Sequence, residues 1–119
     1  MKQPGPDHPI KISFNTRRVR VHFAGQTIAD TGRALTLTEA GYPPVQYIPR
    51  EDVNFSVLQA TSHRTHCPYK GDASYFSLAA NGRTAENAVW SYQQPFPAVE
   101  EIKGHLAFYP DRVDAIEEL

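Results

Sequence analysis

Beginning at Arg18 the chain alternates polar and apolar side chains without a break, RVRVHF, which predicts a strand with Val19, Val21 and Phe23 on one face and Arg18, Arg20 and His22 on the other. Ala24-Gly25 turns the chain, and QTIADT and ALTLTE supply two further short alternating segments with Ile28, Leu35 and Leu37 as core contributions. Together these read as the start of an antiparallel meander. The prolines of GYPPV force extended backbone before a brief strand at Tyr47 and Ile48. Pro49-Arg-Glu-Asp52 then carries the marks of a helix start and predicts a short helix over 50–60 that buries Val53, Val57 and Leu58.

Further along, ASYFSL and NAVWSY flank Asn81-Gly82 and predict an aromatic-rich hairpin in which Trp90 belongs to the core. Pro97 to Gly104 predicts a second helix of one or two turns, with proline at its start, glutamates within and glycine at its stop. HLAFY and RVDAI close the chain as two strands around a Pro110-Asp111 turn. Residues 1–10, rich in proline and polar groups, read as an extended arm, and 11–119 as one domain. Short strands, short turns and two small helices argue for a mostly β, single compact antiparallel domain, barrel-like or a folded sheet, with α+β as the alternative. Long helices alternating with strands, as a doubly wound sheet requires, are missing from the pattern.

Composition narrows the picture little. At 119 residues the chain is long enough for one core, and its single Cys67 excludes an intramolecular disulfide and suits a reducing compartment. The N-terminal MKQPGPDHPIKI lacks an apolar run of signal-peptide length and no segment approaches a membrane span, so the expectation is a cytoplasmic protein without a membrane partner. The formal charge is −1, with seven Lys/Arg against three Asp/Glu in residues 1–50 and five against ten in 51–119. That balance is unfavourable for a polyanion binder, and nucleic acid is not expected as a partner.

The ordered motifs IADT, YIPREDV, T.CPYKGDASY, NAVW.Y and AFYPDRVD resemble the domain of unknown function 427 family over about Val19 to Asp114. The resemblance implies a small, mainly β domain, alone or in tandem, with no established reaction; the family also carries a nucleotidyltransferase-like label. The residues give that label little footing. There is no Asp-x-Asp pair or phosphate-cradling glycine loop, and Asp30, Asp52, Asp72 and Asp111 could meet only through the fold.

The densest chemistry is HRTHCPYKG, residues 63–71. A β-turn over Cys67-Pro68-Tyr69-Lys70 would bring the Lys70 ammonium towards the Cys67 thiol, with His66 as a base or second cation. These three are the candidate catalytic groups for a nucleophilic or redox thiol. The opposite reading buries Cys67 as a small apolar group. His63-x-x-His66-Cys67 also offers imidazole and thiolate donors, but His66 and Cys67 would point apart on an extended chain, and no metal site is expected. The leading expectation is a small-molecule pocket built from this loop and the aromatic strands, with His63, Tyr69, Tyr75, Tyr109, Asp111 and Arg112 as ligand-binding candidates and no cofactor identified. A nucleotide stacked on the tyrosines is a further alternative.

Overall fold

In the computed structural model, which describes residues 1–119, ten strands form three antiparallel sheets. The strands are β1 (Ile10–Phe14), β2 (Val19–Phe23), β3 (Gln26–Thr31), β4 (Leu35–Glu39), β5 (Val45–Tyr47), β6 (Leu58–Cys67), β7 (Gly71–Ala80), β8 (Arg83–Tyr92), β9 (Leu106–Phe108) and β10 (Ala115–Glu118). The sheet orders are β1-β4-β5, β10-β2-β3 and β6-β7-β8-β9. The fold is mostly β, and no helix is long and apolar enough to cross a membrane.

Two of the sheets are continuous. Ile48 and Leu106 exchange both backbone hydrogen bonds at 2.8 Å, so β5 continues into β9 and a curled seven-stranded sheet runs β1-β4-β5-β9-β8-β7-β6. It does not close, because β1 and β6 are not hydrogen-bonded to each other as a ladder. Its two faces are sorted by the period-two alternation of the strands. Leu106, Phe108, Leu78, Val89 and Ile48 join Val19, Val21, Phe23 and Ile28 of the β10-β2-β3 sheet in one buried cluster. Leu35, Leu37, Tyr47, Ala73, Tyr75, Tyr92 and Ala107 face the other way and form a second.

The expected alternation of β2 is observed, with Val19, Val21 and Phe23 buried. Its hairpin to β3 turns at Ala24 and Gly25, both with positive φ, and Asn81-Gly82 turns β7 into β8 in the same manner. The meander stops there. Instead of adding to β3, β4 pairs with β1 and β5, because the corner at Thr31 is tied elsewhere. The buried Thr31 hydroxyl donates to Asp52 at 2.7 Å and accepts from the Arg33 amide at 2.9 Å, which carries the chain from one sheet to the next. Likewise β9 and β10 do not form a hairpin across Pro110-Asp111; β9 pairs with β8 and β10 with β2.

The helix expected over 50–60 is replaced by two separate 3-10 turns, Arg50–Asp52 and Phe55–Val57. Val53 between them is extended and bridges Ala29, and Asn54 caps the second turn by accepting from the Ser56 amide, so a continuous helix has no place. Pro97–Ile102 is also 3-10, broken at Val99, and it buries Val99 and Ile102 in the second cluster. The largest departure concerns HRTHC. It is strand, not loop: β6 runs to Cys67, which pairs with Gly71 across a three-residue turn of Pro68, Tyr69 and Lys70.

Gly71 holds a φ of +110°, and a Cβ there would lie 3.4 Å from the Gln94 carbonyl oxygen. An L side chain is strained in that conformation. Gly71→Ala is therefore expected to lower unfolding free energy by about 1–3 kcal/mol in urea denaturation. Gly41→Ala, at a glycine with open space and no positive φ, should stay within about 0.5 kcal/mol of the parent. Equal effects at the two positions would remove the argument.

Candidate functional site

The inward curl of the seven-stranded sheet leaves a cleft of about 540 Å³. Alternation decides what lines it. Leu37 and Glu39 of β4, Val45 and Tyr47 of β5, Tyr75 of β7, and Trp90 and Tyr92 of β8 project from the same side of their strands, with Cys67 at the end of β6. Tyr42, Pro43 and Pro44 form one rim and Tyr109 and Pro110 another. Five of the chain's six tyrosines and its only tryptophan thus meet in one place, although they are spread from residue 42 to residue 109.

The rings are ordered by contacts. Trp90 donates from its indole nitrogen to the Tyr47 hydroxyl at 3.3 Å and meets that ring edge-on. Tyr109 lies 4.4 Å from Trp90 between ring centroids, and its hydroxyl is 3.2 Å from that of Tyr75, which in turn is 2.9 Å from the Thr65 hydroxyl. Burial pushes the Tyr109 phenol up to about 12, with its hydrogen bond to Tyr75 adding to the shift. Burial also raises Tyr47 and Tyr92 well above the ordinary tyrosine value. All three remain neutral hydrogen-bonding groups at physiological pH. Trp90 is half-buried on the cleft wall rather than sealed in the core as expected, because the strand alternation that buries Val89 turns it to the concave face.

At one end of the cleft the Lys70 ammonium, on a residue only 8% exposed, donates to Glu39. The other oxygen of the same carboxylate meets His8 Nε2 at 2.7 Å. The His8 ring stacks on Tyr69 at 3.9 Å with the planes 6° apart, and the Lys2 amide donates to the Pro68 carbonyl at 2.7 Å. The N-terminal arm is docked across the β6–β7 turn. Burial pushes the Glu39 carboxyl up, but hydrogen bonds from Lys70 and His8 outweigh it and hold the group below the usual carboxylate range.

Of the residues expected from sequence, Cys67, Lys70, Tyr75 and Tyr109 line this cleft. The structure does not bring Cys67, Lys70 and His66 together as a triad. His66 lies one position before Cys67 on an extended strand, so it faces outward, where its Nδ1 meets Asp72 at 2.6 Å; Lys70 is bound to Glu39. His63 is exposed, though its ring touches the edge of Tyr75 at 4.5 Å. Tyr69 belongs to the arm contact. Asp111 is exposed beside the cleft, and Arg112 covers the outer face of Tyr109 at 4.4 Å while donating to the Asn87 carbonyl at 2.8 Å. Glu39 and Tyr47 line the cleft without having been singled out from sequence, and Trp90 and Tyr92, considered there among the aromatic residues but not chosen as ligand-binding candidates, line it too. Only the period-two register of their strands could have shown that they share a face with Tyr75.

A second concavity, of about 580 Å³, lies between Phe14, Arg33, Arg50, Glu51, Glu101, Lys103 and His105. Some of its charges are occupied: Arg33 binds Glu51 at 2.7 Å and Arg50 covers the Phe55 ring at 4.7 Å. The basic face of β2 is likewise paired, Arg18 and Arg20 both reaching Asp30. No three of the His, Cys, Asp and Glu side chains gather within reach of one metal ion.

Comparison with known families gives one result. Residues 11–119 match the family model described as a domain of unknown function, DUF427. The match starts one residue into β1 and leaves out the arm that docks on the CPYKG turn. No curated protein matches the chain.

The ion pair makes a pH-dependent prediction. A depressed folded pKa at Glu39 contributes stability above its unfolded value of about 4.3, and that contribution is lost as pH falls through the lower folded value. Lys70→Ala, which leaves a half-buried carboxylate with only His8 as its side-chain partner, should cost about 1–3 kcal/mol at neutral pH. The stability difference between the parent protein and Glu39→Gln should shrink progressively as pH falls below about 4 in chemical denaturation series. A difference independent of pH would mean that Glu39 is not the ionised partner.

Proposed function

Since the chain belongs to the DUF427 family, whose description assigns no reaction, its function must be read from its own surface, and we propose that it binds a small, planar, largely apolar molecule in the aromatic cleft. The observation that carries this reading is the convergence of six aromatic side chains on one concavity large enough for a small molecule, with a few polar groups among them. Aromatic walls favour flat ligands through stacking and edge contacts, each worth about 0.5–1.5 kcal/mol beyond the area buried.

A second reading is supported by the position of Cys67. Its side chain is half-buried and lines the same cleft as the aromatic rings, so a bound molecule would lie against the thiol, and a nucleophilic or redox role follows if that molecule is electrophilic. In this reading Lys70 is a structural cation, because its ammonium is bound to Glu39. Nucleotidyl transfer has less support, since Asp30 is paired with Arg18 and Arg20, Asp52 with Thr31 and Asp72 with His66.

Trp90 and Cys67 supply two independent reporters within the cleft. Compounds that occupy it should shift the single indole N–H resonance of Trp90 and slow iodoacetamide labelling of Cys67 in parallel with occupancy. Compounds that bind by calorimetry while leaving both signals unchanged would place the binding elsewhere and end this proposal. The thiol reading separates from simple binding through Cys67→Ser. Retained affinity with no turnover of acyl or enone compounds by the parent protein supports binding alone.

A further inference from the structure

Tyr92 is 6% exposed, lines the cleft, and differs in one respect from Tyr47, Tyr75 and Tyr109. The Tyr47 hydroxyl accepts from Trp90, and the Tyr75 and Tyr109 hydroxyls meet each other. The hydroxyl of Tyr92 has no protein partner. No side-chain nitrogen or oxygen that is fully shut off from the surroundings lacks a partner, so this hydroxyl opens onto the cleft that its residue lines. A phenol that reaches the cleft can hydrogen-bond solvent there, so an acceptor placed against it gains the net worth of one hydrogen bond, about 0.5–1.5 kcal/mol. Tyr47 adds a second donor: its oxygen accepts from Trp90, while its own proton is not used by any protein acceptor.

The charge of the cleft limits what the acceptor can be. Glu39 and Lys70 are the only formally charged side chains among the lining residues, and they neutralise each other. A carboxylate or phosphate entering the cleft would lose its hydration without meeting a free cation, and an ammonium would find no free carboxylate. We propose that the cleft selects an uncharged planar molecule carrying a carbonyl-type oxygen, held by a hydrogen bond from the Tyr92 hydroxyl. A carbonyl oxygen has two lone pairs, which suits the two phenol protons of Tyr92 and Tyr47. This deepens the cleft-binding reading and rests on it.

The test uses the full chain and three ring compounds of similar size, acetophenone, toluene and benzoate, each titrated against the Trp90 indole resonance. Acetophenone is expected to bind about threefold to tenfold more tightly than toluene, the range of one hydrogen bond, and benzoate more weakly than acetophenone. In Tyr92→Phe, which keeps the ring and loses the donor, acetophenone should fall to the level of toluene while toluene itself is unchanged. A preference for acetophenone that survives in Tyr92→Phe, or benzoate binding most tightly, would overturn the assignment of Tyr92 while leaving the cleft as a binding site. If none of the three moves the Trp90 signal, the cleft reading fails and the inference with it.

Discussion

The curled sheet stays open between β1 and β6, and a single carboxylate spans the gap. Glu39 sits at the end of β4, hydrogen-bonded through the backbone of its strand to β1, and receives Lys70 from the β6–β7 turn and His8 from the arm. A closed barrel would use a ladder of backbone hydrogen bonds at this seam. Here side-chain charge does it. A buried pair of this kind is poor evidence of net stability against an apolar replacement, but it is directional, and removing one partner is costly. It holds the turn that carries Cys67 and Gly71 against the far edge of the sheet.

Because the seam is bridged at one end rather than zipped along its length, the concave face is not filled by strand packing. Ala73 and Ala107 are buried on that face behind the cleft lining, among Tyr47, Tyr75 and Tyr92 of the same cluster. The aromatic residues then form walls instead of a centre. The opposite face is packed densely against the β10-β2-β3 sheet, with Val19, Val21, Ile28, Leu78, Val89 and Leu106 all fully buried. One layer supplies the stability and the other the cavity, a division set by alternating positions on shared strands such as β9, where Leu106 and Phe108 go one way and Ala107 the other.

The elements whose local pattern is strong are legible in the amino-acid order itself. β2 with its alternating valines, the Ala24-Gly25 turn and the Asn81-Gly82 hairpin follow from side-chain period and from residues tolerant of positive φ. The helix expected after Pro49 does not form because a start signal is a local preference of about 1 kcal/mol, and the bridge of Val53 to Ala29 together with the burial of Val57 outweighs it. The HRTHC segment misleads for a related reason. Polar residues on an exposed edge strand look like a loop, since neither face of most of β6 is buried to impose alternation.

The candidate site divides in the same way. Sequence alone determined a small, mainly β domain and drew attention to Cys67, Lys70, Tyr75 and Tyr109, because their residue types carry chemistry wherever they fall. Only tertiary structure decided that Lys70 serves Glu39, thirty-one positions away, and that His66 faces solvent while Cys67 faces the cleft. The physical reason is that alternation fixes which residues share a face within one strand, whereas the order and curl of strands decide which faces meet. Those depend on contacts between residues far apart in the chain, and no local pattern encodes them.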